Sequence, residues 1–140
     1  MEQFLKGGVD DDQVAQDGVV YQENEEKTAY TVVSTYGAGL TSYCVPATIN
    51  DLPVTTIGEN AFSNLTSLTE LTFEEGSNIE KIGTRAFMAI GITNLDLTPC
   101  TKLTTISERA FANCSKLATV KFNKELQNFD GPAQFNGCTA

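Results

Sequence analysis

A chain of 140 residues with 41% apolar content is long enough for one domain with a continuous core. Its formal net charge of −9 and complete lack of histidine argue against a nucleic-acid surface, because phosphate binding needs clustered Lys and Arg. No stretch approaches the roughly 18 consecutive apolar residues of a membrane span, and Met1 to Gly8 lacks the apolar run of a secretory signal, so no membrane insertion is expected.

The charge is uneven. Residues 1–30 hold eight acids and two lysines, a net −6, whereas the other 110 residues carry ten acids and seven bases, a net −3. Residues 1–17 are acidic and sparse in large apolar groups (Asp10-Asp11-Asp12, then Asp17), the composition of a solvated, flexible tail. They lack the spaced D-x-D-x-D-G loop of a calcium site. Residues 18–39 read as an N-terminal β cap. Gly18-Val-Val-Tyr21 and Ala29-Tyr-Thr-Val-Val33 are β-rich runs, and the polar residues 22–27 between them make a hairpin. A solenoid exposes its terminal apolar coil unless something covers it. Leu40-x-x-Tyr43-x-Val45 then opens a first, irregular coil that contains Pro46 and Pro53.

From Ile57 onward the chain repeats. Ile57-Gly-Glu-Asn-Ala-Phe62 returns as Ile82-Gly-Thr-Arg-Ala-Phe87 and as Ile106-Ser-Glu-Arg-Ala-Phe111, with a degenerate copy ending at Phe135. The steps between the phenylalanines are 25, 24 and 24 residues. In phase with them run Leu68-x-x-Leu71-x-Phe73, Ile92-x-x-Leu95-x-Leu97 and Leu117-x-x-Val120-x-Phe122. A fixed period of this length with an L-x-x-L-x-L core marks a leucine-rich repeat solenoid. The predicted fold is an α/β-type repeat solenoid, a right-handed coil over residues 40–140 with about four coils, the last incomplete. Strands near 40–46, 68–74, 92–98 and 117–123 should form a parallel concave sheet. The convex side should be mostly irregular or short-helical, with helical turns at 59–64, 84–89 and 108–113. Phe62, Phe87, Phe111 and Phe135 should stack as a spine.

Cys44, Cys100, Cys114 and Cys138 form no C-x-x-C pair, so no metal site is expected. Cys114 and Cys138 each stand three residues after a motif Phe, where other copies have Leu65 and Ile90. They read as small core residues, although stacked coils also place such positions near disulfide range. Asn64-Leu-Thr and Asn113-Cys-Ser match the glycan acceptor pattern, but both lie where the repeat already prefers Asn.

The I-G-x-x-A-F…L-x-x-L-x-F pattern, the Ala-Phe-Ala-Asn-Cys stretch at 110–114 and the segment from Tyr43 to Ile57 resemble the BspA-like leucine-rich repeat family. The resemblance covers about residues 18–140. It implies an extracellular or cell-surface recognition or adhesion module, in some members a binder of host matrix proteins. The last copy departs from the pattern, with Phe129-Asp130 in place of Ile-Gly and a stop just before the next strand.

Alternation turns the intervening strand residues outward. The outward ladders are Ser42, Glu70, Asn94, Thr119; then Cys44, Thr72, Asp96, Lys121; then Pro46, Glu74, Thr98, Asn123. The candidate partner-binding residues on this concave face are Glu70, Thr72, Glu74, Asn94, Asp96, Thr98, Thr119 and Lys121. The expected partner is a protein, host matrix included, or a glycan; an outward strand face must be polar in any case, so a merely solvated face carries the same residues. Carbohydrate stacking is disfavoured by the absence of Trp, although Tyr30 or Tyr36 in the cap remains available. Glu70, Glu74 and Asp96 suggest a glycosidase-like carboxylate cluster, yet an exposed sheet offers no enclosed pocket to raise a pKa. With no histidine, no G-x-S-x-G and no phosphate loop, no catalytic residue and no cofactor are expected. A second reading is an assembly segment that self-associates end to end through its open C-terminal coil.

Overall fold

The computed structural model describes residues 12–36, 39–122 and 134–139, together with the backbone of 128–130. Most of the acidic tail and Asn123 lie outside the described residues. The strands are β1 (Gln13–Gln16), β2 (Val19–Glu23), β3 (Tyr30–Thr35), β4 (Ser42–Val45), β5 (Thr48–Ile49), β6 (Leu52–Ile57), β7 (Glu70–Phe73), β8 (Lys81–Ile82), β9 (Asn94–Asp96), β10 (Thr105–Ser107), β11 (Thr119–Lys121) and β12 (Asn128–Asp130).

Stacked coils leave two walls. The wall carrying the L-x-x-L-x-L strands holds β4, β7, β9 and β11; the wall carrying the Ile-Gly motifs holds β6, β8, β10 and β12, paired in parallel. The cap joins the second wall, where β3 pairs β6 in parallel while β2 pairs β3 and β1 pairs β2, both antiparallel. The hairpin of residues 18–39 is present, but the cap begins earlier than expected. Gln13–Gln16, assigned above to the tail, is a third strand closed by the two-residue turn Asp17-Gly18, at φ 55° and 87°. Both central residues at positive φ is the geometry that Asp-Gly favours in a tight hairpin.

The expected helical turns at 59–64, 84–89 and 108–113 are not helices, and no α-helix occurs among the described residues. Each segment is a pair of tight turns with two left-handed residues: Asn60 and Asn64, Arg85 and Ala89, Arg109 and Asn113. The reason lies in where the backbone donors go. A helix would bind its N–H groups internally. Here alternate N–H groups reach the next coil instead: Asn60 to Thr84 O (3.0 Å), Phe62 to Ala86 O (2.7 Å) and Asn64 to Met88 O (2.7 Å). Arg85, Phe87 and Ala89 repeat the arrangement onto Glu108, Ala110 and Ala112. The convex side is therefore irregular without being helical, and the fold is a stack of β coils rather than an α/β solenoid.

Between the walls the four phenylalanine rings stack nearly parallel, with centroids 4.9, 5.2 and 5.4 Å apart and interplanar angles of 16°, 10° and 5°. Tyr43 continues the column at 5.6 Å from Phe62. Ile57, Ile82 and Ile106 line one side and Leu71, Leu95 and Leu97 the other, all buried. All four cysteines are free thiols. Cys114 and Cys138 donate to the carbonyls of Phe87 and Phe111, each 3.2 Å away, so each ties its coil to the spine residue of the coil before. Burial pushes the Cys100 and Cys114 thiols up to about 11.

The glycine of the Ile-Gly motif marks close coil approach. A Cβ at Gly58 or Gly83 would lie 2.8 Å from the carbonyl oxygen of Val32 or Ile57. The middle coil is also one residue short: Phe87 to Ile92 is five positions, against six from Phe62 to Leu68 and from Phe111 to Leu117. Gly91 takes up the loss, with its N–H on Leu68 O at 2.8 Å and no room for a side chain beside Thr66 O. Across the neighbouring joints, Thr69 N–H binds Thr41 O and Ala118 N–H binds Thr93 O, but no equivalent bond joins Thr93 to Thr69. The expected single sheet on the first wall is consequently two parallel pairs, β4–β7 and β9–β11, with β7 and β9 adjacent but not laddered.

Two outcomes test this account. Phe87→Ala, which removes the middle of the column, should cost about 3–5 kcal/mol in urea unfolding and bring the array close to collapse. Ala89→Gly should instead stabilise the fold by about 0.5–1 kcal/mol, seen as a higher urea midpoint, because it relieves an alanine held left-handed in exchange for a more flexible unfolded chain.

Candidate functional site

The residues proposed from the sequence fall where the alternation places them. In β7, Glu70 and Thr72 are exposed and Leu71 and Phe73 buried. In β9, Asn94 and Asp96 are exposed around buried Leu95, and in β11, Thr119 and Lys121 flank Val120. Glu74 and Thr98 follow their strands and are also exposed. The register brings Ser42 beside Glu70, Cys44 beside Thr72, Asn94 beside Thr119 and Asp96 beside Lys121. The break between β7 and β9 divides the eight into two groups. Glu70, Thr72 and Glu74 lie toward the cap, and Asn94, Asp96, Thr98, Thr119 and Lys121 lie toward the far end.

Several of these side chains are already engaged. Glu74 accepts the Ala47 N–H at 2.6 Å, clasping the loop after β4. Asn78 binds Ala47 O at 2.9 Å from the same side, and Lys102 donates to Asn78 at 2.7 Å. Asp96 accepts both the hydroxyl (2.6 Å) and the N–H (2.9 Å) of Thr98. Thr119 hydrogen-bonds Asn94 across the strand pair. Among the described residues, Glu70, Thr72 and Lys121 make no side-chain hydrogen bond and present their polar groups outward.

The Thr98 hydroxyl, then the Thr98 N–H, and less strongly the Lys121 ammonium hold the Asp96 carboxyl below its ordinary value. A depressed carboxyl favours the folded state when ionised; that contribution is present at neutral pH and fades as pH falls through the folded value. No group of three His, Cys, Asp or Glu able to hold a metal converges among the described residues.

The cap aromatics separate clearly. Tyr30, one of the two offered for carbohydrate stacking, is buried, packs edge-on against Tyr21 at 6.4 Å and meets Asn50 through its hydroxyl at 3.4 Å. It is not a surface platform; Tyr36, 47% exposed, remains one. The sequence reading missed Asp17, which the β1–β2 turn carries to the rim of the first wall beside Ser42, Cys44 and Glu70. The signal was there in the dipeptide Asp17-Gly18, a tight-hairpin pair.

A family model described as a BspA type leucine rich repeat region (6 copies) matches residues 39–140. A leucine-rich repeat protein from Bacteroides capillosus superposes with a TM-score of 0.73 at 25% identity, covering 91% of this chain and 94% of that one. A leucine-rich repeat protein of T. pallidum gives 0.57 at 16% identity, over 91% and 68%. The pneumococcal vaccine antigen PcpA gives 0.51 at 18% identity, over 89% of this chain and 47% of that one. None of the curated proteins matches.

An NMR titration should place the Asp96 midpoint below that of an unstructured aspartate. Thr98→Ala, which deletes the stronger donor, should move it upward; a midpoint unmoved by the substitution would assign the depression to another group.

Proposed function

The chain belongs to the BspA-type leucine-rich repeat family, and from that premise we propose that it is a noncatalytic recognition or adhesion module, displayed at the cell surface or secreted. It binds a protein or glycan partner through the face made by β4, β7, β9 and β11. The observation that carries this reading is the register. Polar side chains from successive coils stand side by side in exposed rows while their strand neighbours are buried. Extended faces of this kind are what solenoid proteins use for partners. Noncatalytic action fits an open face whose one clearly shifted carboxylate, Asp96, is held ionised rather than protonated.

An assembly role is the second reading, favoured by apolar surface just after β11. There Phe122 is 45% exposed and meets the last spine ring, Phe135, edge-on at 6.0 Å.

Arrays of matrix proteins and glycans, probed with the wild-type chain and with the combined variant Glu70→Gln, Glu74→Gln, Asp96→Asn, Lys121→Gln, decide between them. Recognition through this face predicts at least one partner whose binding falls by about tenfold or more in the variant, with circular dichroism showing both proteins folded. A partner bound equally by both proteins would move the site off this wall, and silence across the arrays would favour assembly.

A further inference from the structure

The joint between the coil of β7 and the coil of β9 is fastened on two sides and open on the third. On the second wall, β8 and β10 pair in parallel, and Thr104 N–H binds Glu80 O at 3.0 Å. On the turn side, Arg85, Phe87 and Ala89 donate across the joint at 3.1, 2.7 and 2.8 Å. Gly91 N–H on Leu68 O, at 2.8 Å, clasps the entry to the first wall. Beyond that clasp no ladder joins β7 to β9. A recess of about 240 Å³ lies there, lined by Thr69, Glu70, Leu71, Thr72, Thr93 and Asn94.

The neighbouring ladders identify the backbone groups that face this gap. Successive residues of a strand turn their N–H and C=O toward opposite neighbours. Glu74 N–H binds Val45 O at 3.0 Å, so Thr72, in step with it, is committed to β4. Leu97 N–H binds Lys121 O at 2.9 Å, so Leu95 is likewise committed to β11. Leu71 and Phe73 therefore face the gap from one side, and Asn94 and Asp96 from the other. Thr98 occupies the place that Glu74 holds one coil earlier, and a closed ladder would put its N–H on Phe73 O. That N–H binds the Asp96 carboxylate instead, at 2.9 Å, next to the Thr98 hydroxyl on the same oxygen at 2.6 Å.

The two acceptors belong to two arrangements of one joint. In the open arrangement, the one observed, the charge-assisted bond to Asp96 is made and the ladder is not. In the closed arrangement the ladder is made, the Asp96 bond is lost, and the short coil is pulled against the ring column. Exchanging one set of hydrogen bonds for another changes the balance little, and the fastened sides hold in both. We propose that the joint is a two-state hinge. The pair β4–β7 and the pair β9–β11 swing together and apart about the second wall, with Thr98 N–H passing between Asp96 and Phe73 O. The hinge stands without any recognition role for the first wall. Where a partner does span the joint, binding favours one setting and shifts the populations toward it.

The test is NMR relaxation dispersion of the backbone amides of the whole chain, which reads collective motion in microseconds to milliseconds. The amides of Leu71, Phe73, Asp96 and Thr98 should exchange at one common rate. Those of Thr72, Leu95 and Leu97, committed to the neighbouring ladders, should show flat profiles. Asp96→Ala removes the open-state acceptor and should raise the closed population about fivefold. Glu59→Ala, which takes a carboxylate from a turn outside the joint, should change that population less than about twofold. Flat profiles at the four joint amides overturn the hinge. So does an Asp96→Ala chain whose minor population is unchanged or smaller, the result a statically open joint gives. A failed hinge leaves the array result as it is, and arrays without a partner leave the hinge as it is, so the two readings fail separately.

Discussion

Everything in this molecule depends on alternate backbone N–H groups being spent between coils instead of within them. On the turn side, Phe62, Phe87 and Phe111 each donate to a carbonyl of the next coil at 2.7–2.8 Å. Those bonds set a coil spacing near that of a β-sheet, and the rings borne by the same residues must stack at that spacing. They do, with centroids 4.9–5.4 Å apart and the rings within 16° of parallel. Backbone and ring column thus demand one repeat distance. Left-handed residues follow from this demand, because aiming three amides in five out of the coil requires the chain to reverse twice. Asparagine tolerates that conformation better than most residues, which is why Asn60, Asn64 and Asn113 occupy it. Both glycan-acceptor asparagines are in this group, so their residue type already has a structural cause.

The same spacing makes the face sensitive to single-residue changes in coil length. The middle coil lacks one residue between Phe87 and Ile92, and the column is kept while the strand ladder on the other wall is broken. Ring stacking and turn hydrogen bonds outweigh the strand ladder when both cannot be met. The consequence is a candidate face in two halves, one built on β4 and β7 and the other on β9 and β11. Glu70 and Thr72 border two recesses of the first wall, one where the β1–β2 turn meets it and one along the broken joint. They are the central residues of the face, a position that the spacing of their coil gave no reason to expect.

Much of this was legible because the repeat carries its register in every copy. Leu71, Leu95 and Val120 align their neighbours without further information, and the phenylalanine period gives the column. What escaped had different physical origins. Helical turns were expected from six-residue polar-apolar segments, too short for propensity to decide; inter-coil bonding decided instead. The longer sheet on the Ile-Gly wall rests on strands as short as Lys81–Ile82, in which no alternation can show. Tyr30 was offered as a surface aromatic of the cap, but the alternation of β3 turns it inward with Val32, and it packs against Tyr21 across the hairpin. Asp17 was hidden by composition: an acidic segment reads as solvated even where its last dipeptide closes a hairpin.

The core and the proposed recognition face occupy nearly separate sets of residues here. The core is aliphatic and aromatic, drawn from inward positions of both walls, and the outward rows contribute little to it. Such a division lets the face vary in charge and shape while the coil framework persists. Glu74 and Asp96 are the exceptions, since each carboxylate holds local backbone: the loop after β4 in one case, the turn after β9 in the other. Their charges are fixed in place by structural bonds, whereas those of Glu70 and Lys121 are not. A partner meeting this face would find two anchored anions and two adjustable charges of opposite sign. Preorganised groups lose less freedom on binding, so on the proposed face the anchored Asp96 would lose less than the unbonded Glu70.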